Sequence, residues 1–420
     1  MFQTILITIV GILLVVCLVL LCLLLLRIVF LISKFTPIVN NMNLGIHPLV
    51  REEVSSFLDN LQDAIEDGEE TEEYSEIEVN PGKFRILHGR LKGICRRLDN
   101  FSKGYLLSSL VHSGLANNPF ILEELDLSGA LCIEEQFSGA DLSRMVARGI
   151  NFKSAILSEA RMENVKMSFA CMTGARLDDV KLSGAYLNEA EMHSCYLKGA
   201  DLPRSYLIGA DLRNSYLGES NLDAAILRQA NLEGANLSFC HMFATNLSEA
   251  NLSRSVIRES NLQGVTLSEA NLQGAYLTDS DLESADLWKA NLSKSILLGT
   301  NFQKSYLSET RFHGVYKDIS NCKDIDLDRL QEKSTMGLYS SKPKDEYGIT
   351  KKTNFSECQW WKADFDKESA ETLWPYLMEN FAPPNNMELS EAEWQEFREA
   401  EKHIIDLKSG KVQKTISKKK

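Results

Sequence analysis

The sequence predicts an all-β solenoid, a four-sided coil built from repeats of five residues. From about residue 121 to residue 315 an apolar residue, usually leucine, recurs at every fifth position, as at Leu197 and Leu202. A small residue stands two positions earlier, as in Ala200-Asp201-Leu202. A five-residue period fits neither the helical period of about 3.6 residues nor the strand period of about two. A chain that turns a corner every five residues would instead place all the leucines in one interior.

The dimensions of this coil follow from its period. The motif repeats about 39 times without an insertion or deletion, far beyond chance regularity. Four sides give turns of about 20 residues, and nearly ten turns spaced about 4.8 Å apart make a rod roughly 45 Å long. The leucines and the small residues point inward, whereas the residue between them points outward. Neighbouring turns satisfy the backbone polar groups, so only the two ends of the rod are exposed.

The five-residue unit resembles the pentapeptide repeat family. Copies such as Ala230-Asn231-Leu232 follow the pattern Ala-(Asp/Asn)-Leu and two variable residues, and the resemblance covers a little under half of the chain. It implies a right-handed quadrilateral β-helix but no particular chemistry. Most members of the family have no assigned activity. The best known bacterial members bind DNA gyrase by imitating DNA with an acidic rod, and others are secreted effectors or membrane-attached proteins.

The outward residues sort into four sides, because residues one turn apart share a side. Two opposite sides predict ladders of Asn and Asp that hold the turns by local hydrogen bonds. The other two sides carry aromatic and β-branched residues. Since Tyr is enriched in protein interfaces, six tyrosines are candidate partner contacts: Tyr186, Tyr206 and Tyr306 on one side, and Tyr196, Tyr216 and Tyr276 on the opposite side. Simple stacking of the rings on a strand surface is the alternative.

Four further residues break the local pattern. Phe239 and Phe243 are large aromatics at positions that usually hold Ser, Glu or Gly, and His241 lies between them. Trp288 is a similar exception. These residues are also candidate contacts for a partner, with harmless surface variation as the alternative.

Residues 1–33 predict a transmembrane anchor. Ile5 to Leu26 is a run of about 22 residues without a charge, long enough to cross a bilayer core. The run lacks the basic start and the small-residue cleavage site of a signal peptide. Arg27 and Lys34 follow it and no basic residue precedes it, which predicts a single-pass protein with its N-terminus outside and its repeat domain in the cytoplasm. The anchor would place these residues in or beside the bilayer: Ile5, Leu13, Leu18, Leu24 and Arg27.

The segments around the repeats predict linkers and caps. An acidic linker with a short helix is assigned to residues 34–80 and a basic amphipathic helical cap to residues 81–119. The apolar seam of this cap, residues 84–105, would cover the open end of the rod, pair with a second copy or contact anionic lipids. Contact between rod ends is a second route to a homo-oligomer. The other assignments are the β-helix at 120–327, an insert loop at 328–352, a last partial coil at 353–366, a helical C-terminal cap at 367–407 and a basic tail at 408–420.

The sequence favours a scaffold over an enzyme. It contains no phosphate-binding loop, dinucleotide fingerprint, metal-binding motif or nucleophile elbow, so no catalytic residue, metal or cofactor is predicted. Cys195 lies near His193, but the repeat points the thiol inward. The repeats hold 25 acidic and 17 basic residues, so their surface is acidic but less one-sided than that of a DNA mimic, and nucleic acid is not an expected partner. We therefore expect a membrane-anchored scaffold for an unknown protein partner, with a DNA-mimic inhibitor of a DNA-handling enzyme, such as a type II topoisomerase, as the alternative.

Overall fold

The computed structural model describes residues 81–117, 119–123, 125–313, 315, 360–365, 367, 371, 374, 377–378 and 390–408. All of them belong to the unit that spans Pro81–Lys420. The predicted transmembrane anchor, the acidic linker, the insert loop and residues 409–420 of the basic tail lie outside the described residues. Among the helices that are described, none has the length and apolar character needed to cross a membrane.

Short helices lie on both sides of the repeats in the sequence. The α-helices are α1 (Pro81–Cys95), α2 (Asn100–His112), α3 (Pro119–Leu122) and α4 (Glu391–Lys408). Single 3₁₀ turns cover Leu115–Asn117 and Trp360–Lys362. The strands between them are so short that each consists of one bridged residue per side of the coil.

The repeats fold into the predicted four-sided β-helix, in which one turn takes 20 residues. Parallel bridges join residues 20 apart, beginning with Asp126 and Val146 and continuing to Asn291 and Arg311. Each bridged residue pairs with the coils before and after it. The Asn231 N–H donates to the Ala210 carbonyl at 2.9 Å, for example. The backbone of each coil is therefore satisfied by its neighbours, and no side of the coil presents an open strand edge.

Leucines and small residues fill the interior of the coil. Leu232 and Leu252 are completely buried, as are Ala230 and the other small residues of the repeat. Phenylalanine replaces leucine near the two ends, where buried rings meet edge to face. The pairs are Phe137 with Phe152, at 5.5 Å between ring centroids, and Phe302 with Phe312, at 6.4 Å. The interior is thus solid along its length and offers no channel.

Each corner of the coil is a tight turn whose second variable residue has a positive φ. This residue is Gly234 in one coil (φ 66°) but Glu249 in the next (φ 61°). A left-handed conformation costs a non-glycine residue about 1–2 kcal/mol. Hydrogen bonds between coils offset this cost, since the Glu249 N–H donates to the Ser268 carbonyl at 2.9 Å. The two variable residues of every repeat consequently project from the corners.

The N-terminal end of the repeats adjoins two helices, where the sequence predicted one continuous seam over 84–105. α1 ends at Cys95 and α2 begins at Asn100, because the Asp99 side chain caps α2 by accepting the Ser102 N–H at 2.7 Å. Phe101 and Tyr105 of the predicted seam are only half-buried. The buried apolar face of α2 is instead Leu106, Leu107 and Leu110.

α2 lies directly against the first coil. The Asn100 carbonyl accepts the Leu131 N–H at 2.9 Å, and the Lys103 ammonium donates to the Ser128 carbonyl at 3.1 Å. The approach is closest at Gly104, where an added Cβ would lie 1.9 Å from the Leu131 carbonyl oxygen. Only glycine fits this helix position, and α2 thereby covers backbone groups that a coil end would otherwise expose.

The C-terminal end of the coil is continued by residues far along the chain. Asp364 forms a parallel bridge with Arg311, in the segment for which the sequence predicted a last partial coil. Next to it Trp360 packs edge to face on Trp374 at 5.0 Å and on Phe397 of α4 at 6.2 Å. These buried rings close the interior beyond the last leucines.

Candidate protein-interaction surface

Two opposite sides of the β-helix differ in the polar residues at their bridged positions. The histidine side is the side whose bridged residues are Asp201, Asn221, His241, Asn261, Asp281 and Asn301. The asparagine side is the side whose bridged residues include Asn231, Asn251, Asn271 and Asn291. The two tyrosine sides lie between them and carry the tyrosines singled out from the sequence.

The asparagine side is a continuous hydrogen-bonded ladder. The Asn251 Nδ2 donates to Asn231 Oδ1 at 3.1 Å, and Asn271 and Asn291 repeat this bond one coil further along at the same distance. Each Oδ1 also accepts a backbone N–H two residues on, as Asn251 does from Ser253 at 3.2 Å. These asparagines hold turns, as predicted, and their polar groups are occupied within the chain.

The ladder of the histidine side is interrupted at its centre. The Asn221 Nδ2 donates to Asp201 Oδ1 at 3.0 Å, and the Asn301 Nδ2 donates to Asp281 Oδ1 at 2.8 Å. Between these bonds the imidazole of His241 replaces the amide and is exposed to solvent. An imidazole cannot donate and accept in the geometry of an amide ladder, so the ladder bonds are missing on both sides of His241. The next bond is missing as well, because the Asp281 carboxylate cannot donate to Asn261.

Four of the six candidate tyrosines form two stacked pairs. Tyr186 stacks on Tyr206 at 4.8 Å, and on the opposite side Tyr196 stacks on Tyr216 at 5.2 Å. Several coils without tyrosine separate these pairs from Tyr306 and Tyr276, respectively. The stacking favours the interpretation that these rings pack along a strand surface. The six tyrosines also lie on opposite sides, so one flat partner surface could not contact them all.

Trp288 is held by its neighbours at another corner. Its indole N–H donates to Glu309 Oε1 at 3.3 Å, and the Lys289 ammonium lies 4.0 Å from its ring centroid. The side chain is only half-exposed. Local contacts therefore account for this residue.

Phe239, His241 and Phe243 come together on the histidine side. All three belong to one coil, with His241 at the bridged position and one phenylalanine at each flanking corner. Phe239 is 43% exposed and Phe243 is 52% exposed. Phe239 also adopts the left-handed turn conformation (φ 61°), which is costly for a bulky residue. Phe169 shares this conformation (φ 64°) and is 42% exposed, so the feature that distinguishes Phe239 is the second exposed ring, Phe243, in the same coil.

Acidic residues surround this aromatic centre. Over the four coils at residues 218–224, 238–244, 258–264 and 278–284 the histidine side carries one basic residue, Arg258, and six acidic ones: Glu219, Asp223, Glu259, Asp279, Asp281 and Glu283. We call these six acids together with Phe239, His241 and Phe243 the acidic–aromatic patch. The carboxylates were missed in the sequence because only bridged positions were compared between coils. Comparing the corner positions 20 residues apart would have revealed them.

The carboxylates of the patch are positioned by the coil. Asp223 Oδ1 accepts the Phe243 N–H at 2.8 Å, which fixes the corner that presents the ring. Asp281 Oδ2 accepts from Gln263 Nε2 at 2.6 Å. Asp223, Glu259 and Asp281 form no ion pair with any described residue. At the two edges Glu219 pairs with Lys198 at 3.4 Å and Glu283 with Lys304 at 3.1 Å.

The buried cysteine thiols are not arranged as a reactive site. The Cys195 thiol donates to the Met172 carbonyl at 2.7 Å, while His193 contacts Thr173 Oγ1 at 3.1 Å, so the two residues do not form a thiol–imidazole pair. Burial raises the pKa of Cys195 to about 12 and that of Cys240 to about 11. These thiols stay protonated and serve as small interior residues. Among the described residues no group of His, Cys, Asp or Glu is arranged to hold a metal ion.

A parallel four-sided coil with a solid leucine interior defines the class of quadrilateral β-helices. Residues 136–314 match the family described as pentapeptide repeats, of which the match counts eight copies. The matched segments overlap and are 136–177, 170–207, 205–242, 235–274, 245–283 and 275–314. Residues 136–314 are therefore pentapeptide repeats, and their coil is a right-handed β-helix. No curated protein matches the chain.

Several solved structures resemble the chain. HetL, a pentapeptide repeat protein involved in heterocyst differentiation regulation in Nostoc sp. strain PCC 7120, is 27% identical; the match covers 44% of this chain and 88% of HetL, with a TM-score of 0.33. QnrB1, a plasmid-mediated fluoroquinolone resistance protein, is 18% identical over 61% of this chain and 96% of its own, with a TM-score of 0.30. A pentapeptide repeat protein of the Arabidopsis thaliana thylakoid lumen is 27% identical over 28% of this chain and 69% of its own, with a TM-score of 0.14.

Proposed function

We propose that this protein is a membrane-anchored, non-enzymatic scaffold whose β-helix presents the acidic–aromatic patch to a protein partner. The observation that carries the proposal is the pair Phe239 and Phe243, which are exposed at the two corners of a single coil. Aromatic side chains are enriched in the cores of protein interfaces, where a few of them supply most of the binding free energy. A solid β-helix keeps both rings at a fixed separation, so little conformational entropy is lost on binding.

The membrane anchor in this proposal rests on the sequence. The uncharged run from Ile5 to Leu26 is long enough to span a bilayer, and the positions of Arg27 and Lys34 favour repeats on the cytoplasmic side. The lipid bilayer is then a second partner, contacted through the N-terminal residues. A homo-oligomer through residues 84–105 or through the coil ends stays a prediction.

Imitation of DNA is the second candidate, and the charge pattern supports it less. A DNA mimic needs one sign of charge along a whole side, because phosphates follow each other without interruption along a duplex. In the four coils that precede the patch, at residues 138–204, the histidine side holds six acidic and five basic residues. On this side, the excess of negative charge thus begins at the patch, which has two aromatic rings at its centre.

Site-specific crosslinking in cells that naturally produce the full-length chain would test the scaffold. In one variant, a photo-crosslinking amino acid replaces Gln263, which lies one coil from Phe243 at the same corner. In the control variant, it replaces Gln273, which occupies the equivalent corner position on the asparagine side. We expect a protein adduct at position 263 and none at position 273. Equal adducts at both positions, or none at either, would contradict the proposal. Recovery of a topoisomerase at position 263 would favour the DNA mimic instead.

Alkaline extraction of membranes from the same cells would test the anchor. The full chain should remain in the membrane pellet, whereas a chain without residues 1–33 should be released. Release of both forms would show that the N-terminal residues do not span the bilayer.

A further inference from the structure

We infer that the acidic–aromatic patch binds a basic, amphipathic segment of its protein partner, one that carries Lys or Arg together with apolar side chains. This inference rests on the proposed function and adds the chemistry of the partner. It follows from the charge of the patch, from its two rings and from its size.

The charge of the patch selects a cationic partner. Its carboxylates outnumber its basic residues six to one, and those of Asp223, Glu259 and Asp281 are not neutralised by an ion pair within the described part of the chain. The asparagine side provides an internal comparison over the coils at 228–234, 248–254, 268–274 and 288–294. It holds three acidic and four basic residues there, of which Arg228 pairs with Glu249 at 2.6 Å and Arg254 with Glu233 at 3.6 Å. Uncompensated charge of one sign is a property of the patch and accelerates association with a partner of opposite charge.

The two rings select apolar side chains in the same partner. Phe239 and Phe243 expose aromatic surface on either side of His241, and the carboxylates lie on the coils before and after them. An apolar residue of the partner would cover a ring while neighbouring Lys or Arg residues reach the carboxylates. Lys and Arg also suit this arrangement because their cations interact favourably with aromatic faces. A purely ionic partner would leave the rings in water.

The size of the patch sets the length of the segment. Four coils spaced about 4.8 Å apart place the outermost carboxylates about 15 Å from one another along the coil axis. A partner helix rises about 1.5 Å per residue, so about ten helical residues would span the patch. One face of such a helix could carry apolar residues at its middle and basic residues at both ends.

Two other occupants fit the patch less well. Nucleic acid would bring phosphates against six carboxylates, and the resulting repulsion opposes binding. A symmetric contact with a second copy would juxtapose the same acidic surface on both molecules. Both remain as outcomes that the experiment distinguishes.

The experiment crosslinks defined peptides to the full-length chain in a nonionic detergent, with the photo-crosslinking residue again at position 263 or 273. The first probe is a fluorescent helical peptide of Lys and Leu. In the second peptide Ser replaces Leu, in the third Glu replaces Lys, and a labelled DNA duplex is the fourth probe. At position 263, the crosslinking yield of the Lys/Leu peptide should exceed that of each other probe about tenfold. The yield of the same peptide should also be about tenfold higher at position 263 than at position 273. A tenfold ratio corresponds to about 1.4 kcal/mol.

Matched variants locate the contact. The double variant Phe239→Ala/Phe243→Ala should lower the yield about tenfold, whereas Phe169→Ala should not change it. Phe169 is a suitable control because it is 42% exposed and occupies the same left-handed turn position at another corner. Glu259→Lys should also lower the yield, and Glu269→Lys, at the equivalent position on the asparagine side, should not. Unchanged circular dichroism and melting temperature would show that each variant folds.

The outcomes separate this inference from the proposed function. Equal crosslinking of the Lys/Ser or Glu/Leu peptide, a stronger signal from DNA, or an adduct with another copy of the chain would overturn the inference. The cellular adduct gives a second reading, because mass spectrometry identifies the crosslinked segment of the partner. A neutral or acidic segment there would overturn the inference while leaving the scaffold intact. Absence of any cellular adduct at position 263 would remove both.

Discussion

The histidine side and the asparagine side belong to the same coil and differ in the side chains that they carry inside and outside. Behind Asn231, Asn251, Asn271 and Asn291 the small interior residues are all alanine, as at Ala230 and Ala250, and the amide ladder runs without a break. In the four coils of the patch, the interior residues behind the histidine side are Ser220, Cys240, Ser260 and Ser280, and the ladder stops at His241. Natural proteins break such local rules mainly where function requires it. The side that departs from the repeat pattern is thus the better candidate for a function.

The polar interior changes the corners that present the patch. On the asparagine side the Ala250 N–H donates to the Leu247 carbonyl at 3.1 Å and closes its turn. At two corners of the histidine side the acceptor is a hydroxyl of the next coil instead. The Cys240 N–H lies 3.3 Å from Ser260 Oγ, and the Ser260 N–H lies 3.4 Å from Ser280 Oγ. These two corners carry Phe239 and Glu259. The unusual interior residues and the residues of the patch therefore occur at the same corners.

The largest stability effect should come from removing a hydroxyl of this interior. Ser260 is buried, accepts the Cys240 N–H and donates to the Leu237 carbonyl at 2.7 Å. Ser260→Ala leaves a buried N–H without its acceptor and should destabilise the protein by about 2 kcal/mol. The matched control is Ser255→Ala, because Ser255 donates only within its own turn, to the Leu252 carbonyl at 2.7 Å. Chemical unfolding measures both. If both substitutions destabilised the protein equally, the Cys240 N–H would not depend on the Ser260 hydroxyl. The polar interior would then not shape the corner that carries Phe239.

A smaller effect, of opposite sign, is expected at the interruption of the ladder. His241→Asn would place an amide between Asn221 and Asn261 and allow the ladder bonds that the asparagine side makes at 3.1 Å. We expect a gain of about 1 kcal/mol in the free energy of unfolding, since each new bond has a modest net value. Asn251→Ala on the opposite side should reduce stability. If His241→Asn were destabilising, the imidazole would have a structural role, and the contrast between the two sides would weaken.

The sequence predicts some parts of this structure better than others, as the five-residue period, the asparagine ladder and the cap of α2 show. The five-residue spacing predicted the coil because every copy adds the same local contact, and the Asn251 ladder followed from residues 20 apart. The break between α1 and α2 was missed, because it depends on the single cap at Asp99 and on the fit of Gly104 against Leu131. The patch was predicted only at its aromatic centre. Most of its acidic residues stand at the two variable positions of the five-residue unit. Because many residue types occur at these positions, an excess of acids in neighbouring coils is difficult to recognise in the sequence.

The smallest effect concerns pH and an ion pair on the asparagine side. Arg213 donates to both carboxylate oxygens of Asp211, at 2.8 and 2.6 Å, and these bonds hold the pKa of Asp211 below its ordinary value. A carboxyl with a lowered pKa stabilises the folded state above its unfolded pKa, about 3.9, and this contribution is lost as the pH falls through the lower folded value. Asp211→Asn should therefore cost a small amount of stability near neutrality, where the ion pair contributes, and the stabilities of the two proteins should converge as the pH falls below about 4. The difference should be smaller than that for His241→Asn, because water and salt screen a pair at the surface. Unfolding at a series of pH values and at two salt concentrations would measure it. An identical acid dependence in both proteins would show that this pair contributes nothing, so that the asparagine side owes its order to the amide ladder alone.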